Sequence, residues 1–135
     1  MKTYALSKLI ILVNSATCHQ CGETIESKYR HDYRTCSCGS LSVDGGKDYC
    51  KRVYDGSMGY TENSLESNDL LIARLYFKWN SYGKNGTGPK KEITLCEMDT
   101  EHILAILDTQ QHIKGTYVEE LFNLELSYRK DTNYA

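Results

Sequence analysis

The sequence predicts an α+β protein: an N-terminal β-hairpin carrying paired cysteines, then an antiparallel β-hairpin with two C-terminal helices packed on one face. Three observations lead there. Two Cys-Gly pairs end short turns between Cys18 and Gly39. The run from Leu70 to Trp79 alternates side chains with a period of two. Beyond residue 100, apolar residues recur at a period near 3.6.

Along the chain, Leu6, Leu9, Ile10 and Val13 stand at helical spacing and predict a short amphipathic helix over residues 4–14. The β-branched-rich run from Ile10 to Val13 also suits a strand. Strands are expected around Thr24 to Tyr29 and Ser40 to Val43, the second turning through Asp44-Gly45-Gly46 into Asp48 to Val53 as a tight hairpin. Residues 55–68 are polar and turn-rich, which predicts a linker. In the following strand, Leu71, Ala73, Leu75, Phe77 and Trp79 are expected to face the core. A long loop leads to a second, antiparallel strand at Glu92 to Glu97.

Asp99 or Thr100 can cap a helix over about residues 100–111, with Ile103, Ile106 and Leu107 buried. Thr116 and Glu119 form a capping-box pattern opening a last helix to about Tyr128. The organisation expected is a subdomain over residues 1–56 and a β-hairpin plus two-helix subdomain over residues 57–135, with one continuous core as the alternative.

Composition excludes several function classes. Net charge is −2 with a pI near 6.1, so no global field draws the chain to phosphate backbones or anionic lipid. Lys8 interrupts the apolar run that ends at Val13, leaving too short a core for a signal peptide, and Thr17 is a poor residue before a lipidated cysteine. No segment is apolar over a membrane-spanning length. A cytoplasmic location is therefore expected, where six cysteines stay reduced and close pairs point to metal.

Zinc takes four thiolates in a tetrahedron, and two tight turns facing each other deliver them. Cys18-His19-Gln20-Cys21-Gly22 is one such turn, and Cys36-Ser37-Cys38-Gly39 is a second, one residue shorter. The ligands expected are Cys18, Cys21, Cys36 and Cys38, with His19 and His31 as alternates and zinc as the cofactor. Together with the hairpin this reads as a zinc-ribbon β-hairpin. Four thiolates close the coordination sphere, so the metal is expected to be structural. Cys50 and Cys96 read as buried free thiols.

Two features suggest a binding surface. Trp79 and Tyr82 precede Lys84, Lys90 and Lys91 in a glycine-rich loop, a combination that single-strand nucleic-acid binding uses and that a solvated hairpin tip also shows. Arg30 and Arg34 head a local basic cluster with Lys28, His31, Lys51 and Arg52. No catalytic set is legible, and Pro89 rather than Lys-Ser or Lys-Thr follows Gly88, which excludes an NTPase phosphate loop.

Cys18-x-x-Cys21-Gly22, Ile25-Glu26-Ser27-Lys28, His31-Asp32-Tyr33, Cys36-x-Cys38-Gly39 and Asp44-Gly45-Gly46 resemble segments of small bacteriophage-encoded zinc-ribbon proteins, a group without an assigned activity. Phe77-Lys78-Trp79, Tyr82-Gly83-Lys84-Asn85-Gly86 and His102-Ile103 resemble the same group. The resemblance implies an early, non-virion protein of the bacterial host cytoplasm. The function expected is non-enzymatic binding that inhibits or redirects a host protein or an antiviral defence complex. A nucleic-acid-binding zinc-ribbon module is the alternative, and an enzyme acting on a nucleotide signal ranks below both. The eleven tyrosines suit half-buried sheet faces and contact surfaces, and a tyrosine-rich sheet edge leaves homo-oligomerisation open.

Overall fold

The computed structural model describes residues 3–82 and 88–132 and shows an α+β architecture. The chain forms two compact units, one of residues 9–67 and the other of residues 1–8 with 68–135. It passes between them within strand β1 (Ala5–Val13) and back within β8 (Leu65–Asp69), and these two strands pair. The division thus falls away from the expected 56/57 boundary. Residues 60–62 hydrogen-bond into the cysteine-bearing unit, and the first residues of the chain belong with the helices.

The helix expected over residues 4–14 is β1 instead. Leu6, Ile10 and Leu12 are buried while Leu9 is 62% exposed, so burial follows the period of two. Leu9 was one of the four residues that completed the helical pattern. The β-branched content of this run decided the conformation.

In the unit of residues 9–67, β2 (Ser15–Cys18) lies between β3 (Thr24–Glu26) and β7 (Tyr60–Glu62). Ala16 faces Ile25 on one side and Glu62 on the other, both antiparallel. A second three-stranded sheet places β5 (Leu41–Asp44) between β4 (Arg34–Thr35) and β6 (Lys51–Tyr54). Leu41 pairs with Tyr54 and Asp44 with Lys51, which is the expected hairpin through Gly45-Gly46. Ala16, Cys18, Ile25, Cys36, Leu41 and Val43 form the core, flanked by Tyr54 and Tyr60 in an edge-to-face pair.

Residues 55–68 are therefore not a linker, since they supply β7 and part of β8. Their polar composition reflects strands with one face open to solvent. Asn14, fully buried, donates its side-chain amide to the carbonyls of Asp44, Gly46 and Tyr49 and so ties the hairpin turn to the end of β1.

In the other unit, the strand expected over Leu70 to Trp79 begins as helix α1 (Leu70–Tyr76) and only then becomes β9 (Lys78–Ser81). The Asp69 carboxylate caps α1 by accepting the Leu71 amide at 2.9 Å. Leu70, Ala73, Arg74 and Phe77 are buried, a helical i, i+3, i+4, i+7 stripe that contains a charged residue. Leu71 and Leu75, expected in the core, are exposed.

β9 pairs antiparallel with β10 (Lys91–Thr94), Trp79 opposite Ile93, as the loop-linked hairpin required. The expected second strand stops at Thr94, because Leu95–Glu97 turns as a 3₁₀ helix with Glu97 accepting the Thr94 amide and hydroxyl.

Helix α2 (Thr100–Thr109) follows Asp99, which uses its backbone carbonyl rather than its side chain to receive Ile103. Helix α3 (Tyr117–Thr132) opens on the Thr116 and Glu119 pattern. Thr116 Oγ1 accepts the Val118 amide and Glu119 accepts the Gly115 amide, so the box closes one residue earlier than its ideal form. Phe122 of α3 is fully buried with Phe77 and Trp79 edge-on at 5.8 and 5.5 Å. No described helix is long and apolar enough to cross a membrane.

Candidate metal centre

Each cysteine pair occupies the connection between two antiparallel strands. Cys18 ends β2 and the chain returns as β3, while Cys36 follows β4 and the chain returns as β5. The Cys18 amide donates to the Glu23 carbonyl and the Cys36 amide to the Leu41 carbonyl, both at 2.9 Å, closing the two hairpins. Within each turn the glycine amide donates back to the first cysteine's carbonyl, Gly22 to Cys18 at 2.8 Å and Gly39 to Cys36 at 3.0 Å. Gly22 and Gly39 sit at φ +74° and +81° with open space where a Cβ would be. Backbone conformation rather than room is what requires glycine there.

The two turns bring their sulfurs together. The Sγ atoms of Cys18, Cys21, Cys36 and Cys38 all lie within 4.8 Å of one another. Cys38 Sγ is 3.7 Å from Cys18 Sγ and 3.6 Å from Cys36 Sγ. Zinc-thiolate bonds of about 2.3 Å in a tetrahedron place sulfurs roughly 3.8 Å apart, whereas a disulfide brings them to about 2.05 Å. All six cysteines are free. The donor set fits a metal ion.

Electrostatics favour the same conclusion. The Glu23 amide, then the Cys38 amide, point at Cys21 and outweigh desolvation, bringing its thiol down to about 6. The Ser40 hydroxyl and amide lower Cys38. Cys18 receives the Cys21 amide, yet burial and the neighbouring Cys38 and Cys36 sulfurs push it up to about 11. Neighbouring thiolates repel one another, so a metal ion taken up here would displace thiol protons. Cys18 and Cys36 are buried; Cys21 and Cys38 lie toward solvent. The Leu41 amide also donates to Cys36 Sγ at 3.4 Å.

The alternate ligands point elsewhere. His19 Nδ1 lies 3.0 Å from the Met58 carbonyl and Nε2 2.6 Å from Thr61 Oγ1, so one ring nitrogen holds the loop before β7 and the other holds β7 itself. His31 is exposed in a turn at φ +67° and does not join the sulfur cluster. Cys50, expected buried, is exposed with Ser64 as its neighbour, and Cys96 is half-buried beside Thr94. The β5–β6 ladder ends at Asp44 opposite Lys51, so residue 50 lies in the turn beyond it.

Residues 10–54 match a domain of unknown function, DUF7695. The matched segment is a third of the chain, contains all four clustered cysteines and ends with β6. Neither a curated protein nor a solved structure matches the chain.

The residues singled out for binding are distributed between the units. Arg30 pairs with Asp48 at 3.5 Å and Arg34 with the buried Asp32 at 2.7 Å, both in the cysteine-bearing unit. Arg52 of the same basic cluster pairs with Glu62. Trp79, Tyr82, Lys90 and Lys91 belong to the other unit. Trp79 is half-buried against Phe122, Tyr82 is exposed, Lys90 is exposed before β10, and Lys91 is exposed opposite Ser81. Lys84 lies outside the described residues.

Sequence reasoning passed over Glu23 and Ser37, which meet across the two cysteine turns, and over Tyr29, Tyr33 and Tyr49, which are exposed on neighbouring turns. The glutamate directly after Cys21-Gly22 was the one local signal of the first. Its partner, fourteen residues on, has no signature in the sequence.

Proposed function

We propose that this chain is a phage-encoded, non-enzymatic binding protein of the bacterial host cytoplasm, with one structural zinc on Cys18, Cys21, Cys36 and Cys38. Its task is to inhibit or redirect a host protein or an antiviral defence complex. The zinc, once bound, crosslinks two short hairpins whose small core could not otherwise hold the intervening turns in place. Four sulfurs fill a tetrahedral zinc, which supports a structural rather than a catalytic metal.

The observation that carries the reading is the surface of those turns. Tyr29 and Tyr33 are 61% and 53% exposed, and Tyr49 is exposed on the turn that Arg30 and Asp48 join to theirs. Exposed tyrosines on a backbone braced by metal offer large rigid contact area at low entropy cost, as protein-binding surfaces do. The nearby arginines are already committed to Asp32, Asp48 and Glu62, which leaves less positive charge for a phosphate backbone. Trp79 packs on Phe122 rather than standing free to stack on a base. Both points favour a protein partner over nucleic acid.

The test is affinity capture from the bacterial host with wild-type protein and a Tyr29→Ala/Tyr33→Ala variant, followed by binding measurements on the purified pair. A partner held by the wild type is expected to bind the variant at least about 30-fold more weakly, the loss of about 2 kcal/mol typical of a central aromatic contact. Equal binding by the variant, or a salt-dependent complex with DNA or RNA and no protein, sinks the proposal.

A further inference from the structure

The second cysteine turn is a residue shorter than the first and stands on a strand of two residues, Arg34–Thr35. Something must hold it against the first. Glu23 Oε1 accepts two hydrogen bonds from the middle of that turn, from the Ser37 amide at 2.6 Å and from Ser37 Oγ at 2.8 Å. Glu23 itself follows directly on the first turn, its carbonyl receiving the Cys18 amide. Its amide also favours the Cys21 thiolate. One residue therefore closes the first turn through its backbone and grips the second through its side chain.

Ser37 lies between Cys36 and Cys38, so fixing its amide and hydroxyl fixes the chain direction on both sides of it. The Cys36 and Cys38 sulfurs, 3.6 Å apart, depend on that direction. A carboxylate near four thiolates raises the negative charge around them, and Coulomb repulsion opposes its placement there unless its hydrogen bonds hold it and a cation sits close by. Both conditions are met if the cysteines carry a dication.

We infer that Glu23 is the positioning residue of the metal centre, setting the ligand geometry and the retention of the ion by clamping Ser37 across the two turns. The inference rests on the zinc reading above. Glu23 touches none of the sulfurs with its carboxylate in the contacts described, so its effect is transmitted through the second turn. Partners of this kind, one shell beyond the ligands, typically govern affinity over a range of about 10- to 100-fold.

The experiment uses the full chain loaded with zinc, or with Co²⁺ as a spectroscopic stand-in, in wild type, Glu23→Ala, Glu23→Gln and Ser37→Ala. Competition with a chromogenic chelator gives affinity and release rate, and the Co²⁺ ligand-field bands report geometry. Wild type is expected to bind one ion with a four-thiolate Co²⁺ spectrum. Glu23→Ala is expected to lose roughly 10- to 100-fold in affinity with shifted ligand-field bands. Glu23→Gln, which keeps an acceptor oxygen, should recover part of the loss, and Ser37→Ala should fall between.

Wild-type affinity and unchanged bands in Glu23→Ala overturn the inference while leaving the metal reading intact. A wild-type chain that takes up neither zinc nor Co²⁺ overturns the metal reading itself. Should Glu23→Ala prove unable to fold, graded losses in Glu23→Gln and Ser37→Ala carry the inference, and their absence overturns it.

Discussion

Arg74 Nε donates to Glu125 Oε1 at 2.7 Å, joining helix α1 to helix α3 across fifty-one residues of sequence. Glu125 is fully buried, and its second oxygen accepts Arg129 Nε at 2.6 Å. Arg129 continues to Thr100 Oγ1 and the Leu95 carbonyl, and the Arg74 guanidinium lies 4.6 Å from the Tyr128 ring centre. The Glu125 carboxylate thus accepts from two guanidinium groups inside the helical unit.

Glu125→Ala removes the carboxylate that these two buried cations share. Removing one partner of a buried pair costs about 3–5 kcal/mol, because the remaining charge has already lost its water. Urea unfolding followed by the fluorescence of Trp79, which packs in the same unit, measures it. A loss under about 1 kcal/mol is incompatible with a buried ionic network of this kind.

Asp69→Ala removes the side chain that accepts the Leu71 amide at the start of α1. The expected destabilisation is about 1 kcal/mol, and Asp69→Asn or Asp69→Ser should restore most of it, since either oxygen can cap. Matching denaturation curves for the alanine and asparagine variants contradict the capping role.

Cys36→Ser affects the other unit. Cys36 is buried among Ala16, Cys18, Leu41 and Val43 as well as being one of the four clustered sulfurs. Metal analysis is expected to fall from about one ion per chain toward none, and excess chelator should destabilise wild type but not the variant. Cys50→Ser, at an exposed thiol outside the cluster, should leave metal content unchanged. Equal metal content in wild type and Cys36→Ser removes the residue from the site.

Asp32 supplies a pH dependence. Burial alone would raise its carboxyl, but the Lys28 amide and Arg34 outweigh burial and hold it below its ordinary value of 3.8. A carboxyl depressed in the folded state contributes stability in full above about pH 4, and that contribution disappears as pH falls through the lower folded value. The stability difference between wild type and Asp32→Asn should therefore be constant from pH 7 to 5 and shrink below about pH 4. Measuring both at each pH cancels any effect of acid on the cysteine cluster, which is common to them. A difference that grows on acidification reverses the sign and rules out this account.

What could be read in advance was local. The Cys-x-x-Cys-Gly and Cys-x-Cys-Gly turns, the Gly45-Gly46 hairpin and the opening of α3 at Thr116 all lie within a few residues of sequence. Their geometry follows from backbone conformation and nearby side chains, so composition and spacing are enough to find them. The clustering of four sulfurs was legible for the same reason, since each turn supplies two cysteines and the hairpins need only to face each other.

Tertiary contacts decided the rest. The run from Leu70 to Trp79 alternates with a period of two only if Arg74 faces solvent. Its partner Glu125 lies far along the chain, and once the pair is buried the helical stripe of Leu70, Ala73, Arg74 and Phe77 becomes visible. The segment taken for a linker became β7 because β2 offered an unpaired edge, which no property of residues 60–62 announces. The arginines near the cysteines looked available for phosphate until Asp32, Asp48 and Glu62 came within reach. By itself the sequence determined the turns and the four clustered cysteines, because these are short-range consequences of backbone sterics. Partnership among charges and among strand edges was left to the fold, because a charge or an edge has no preferred partner until chain packing removes the water that would otherwise satisfy it.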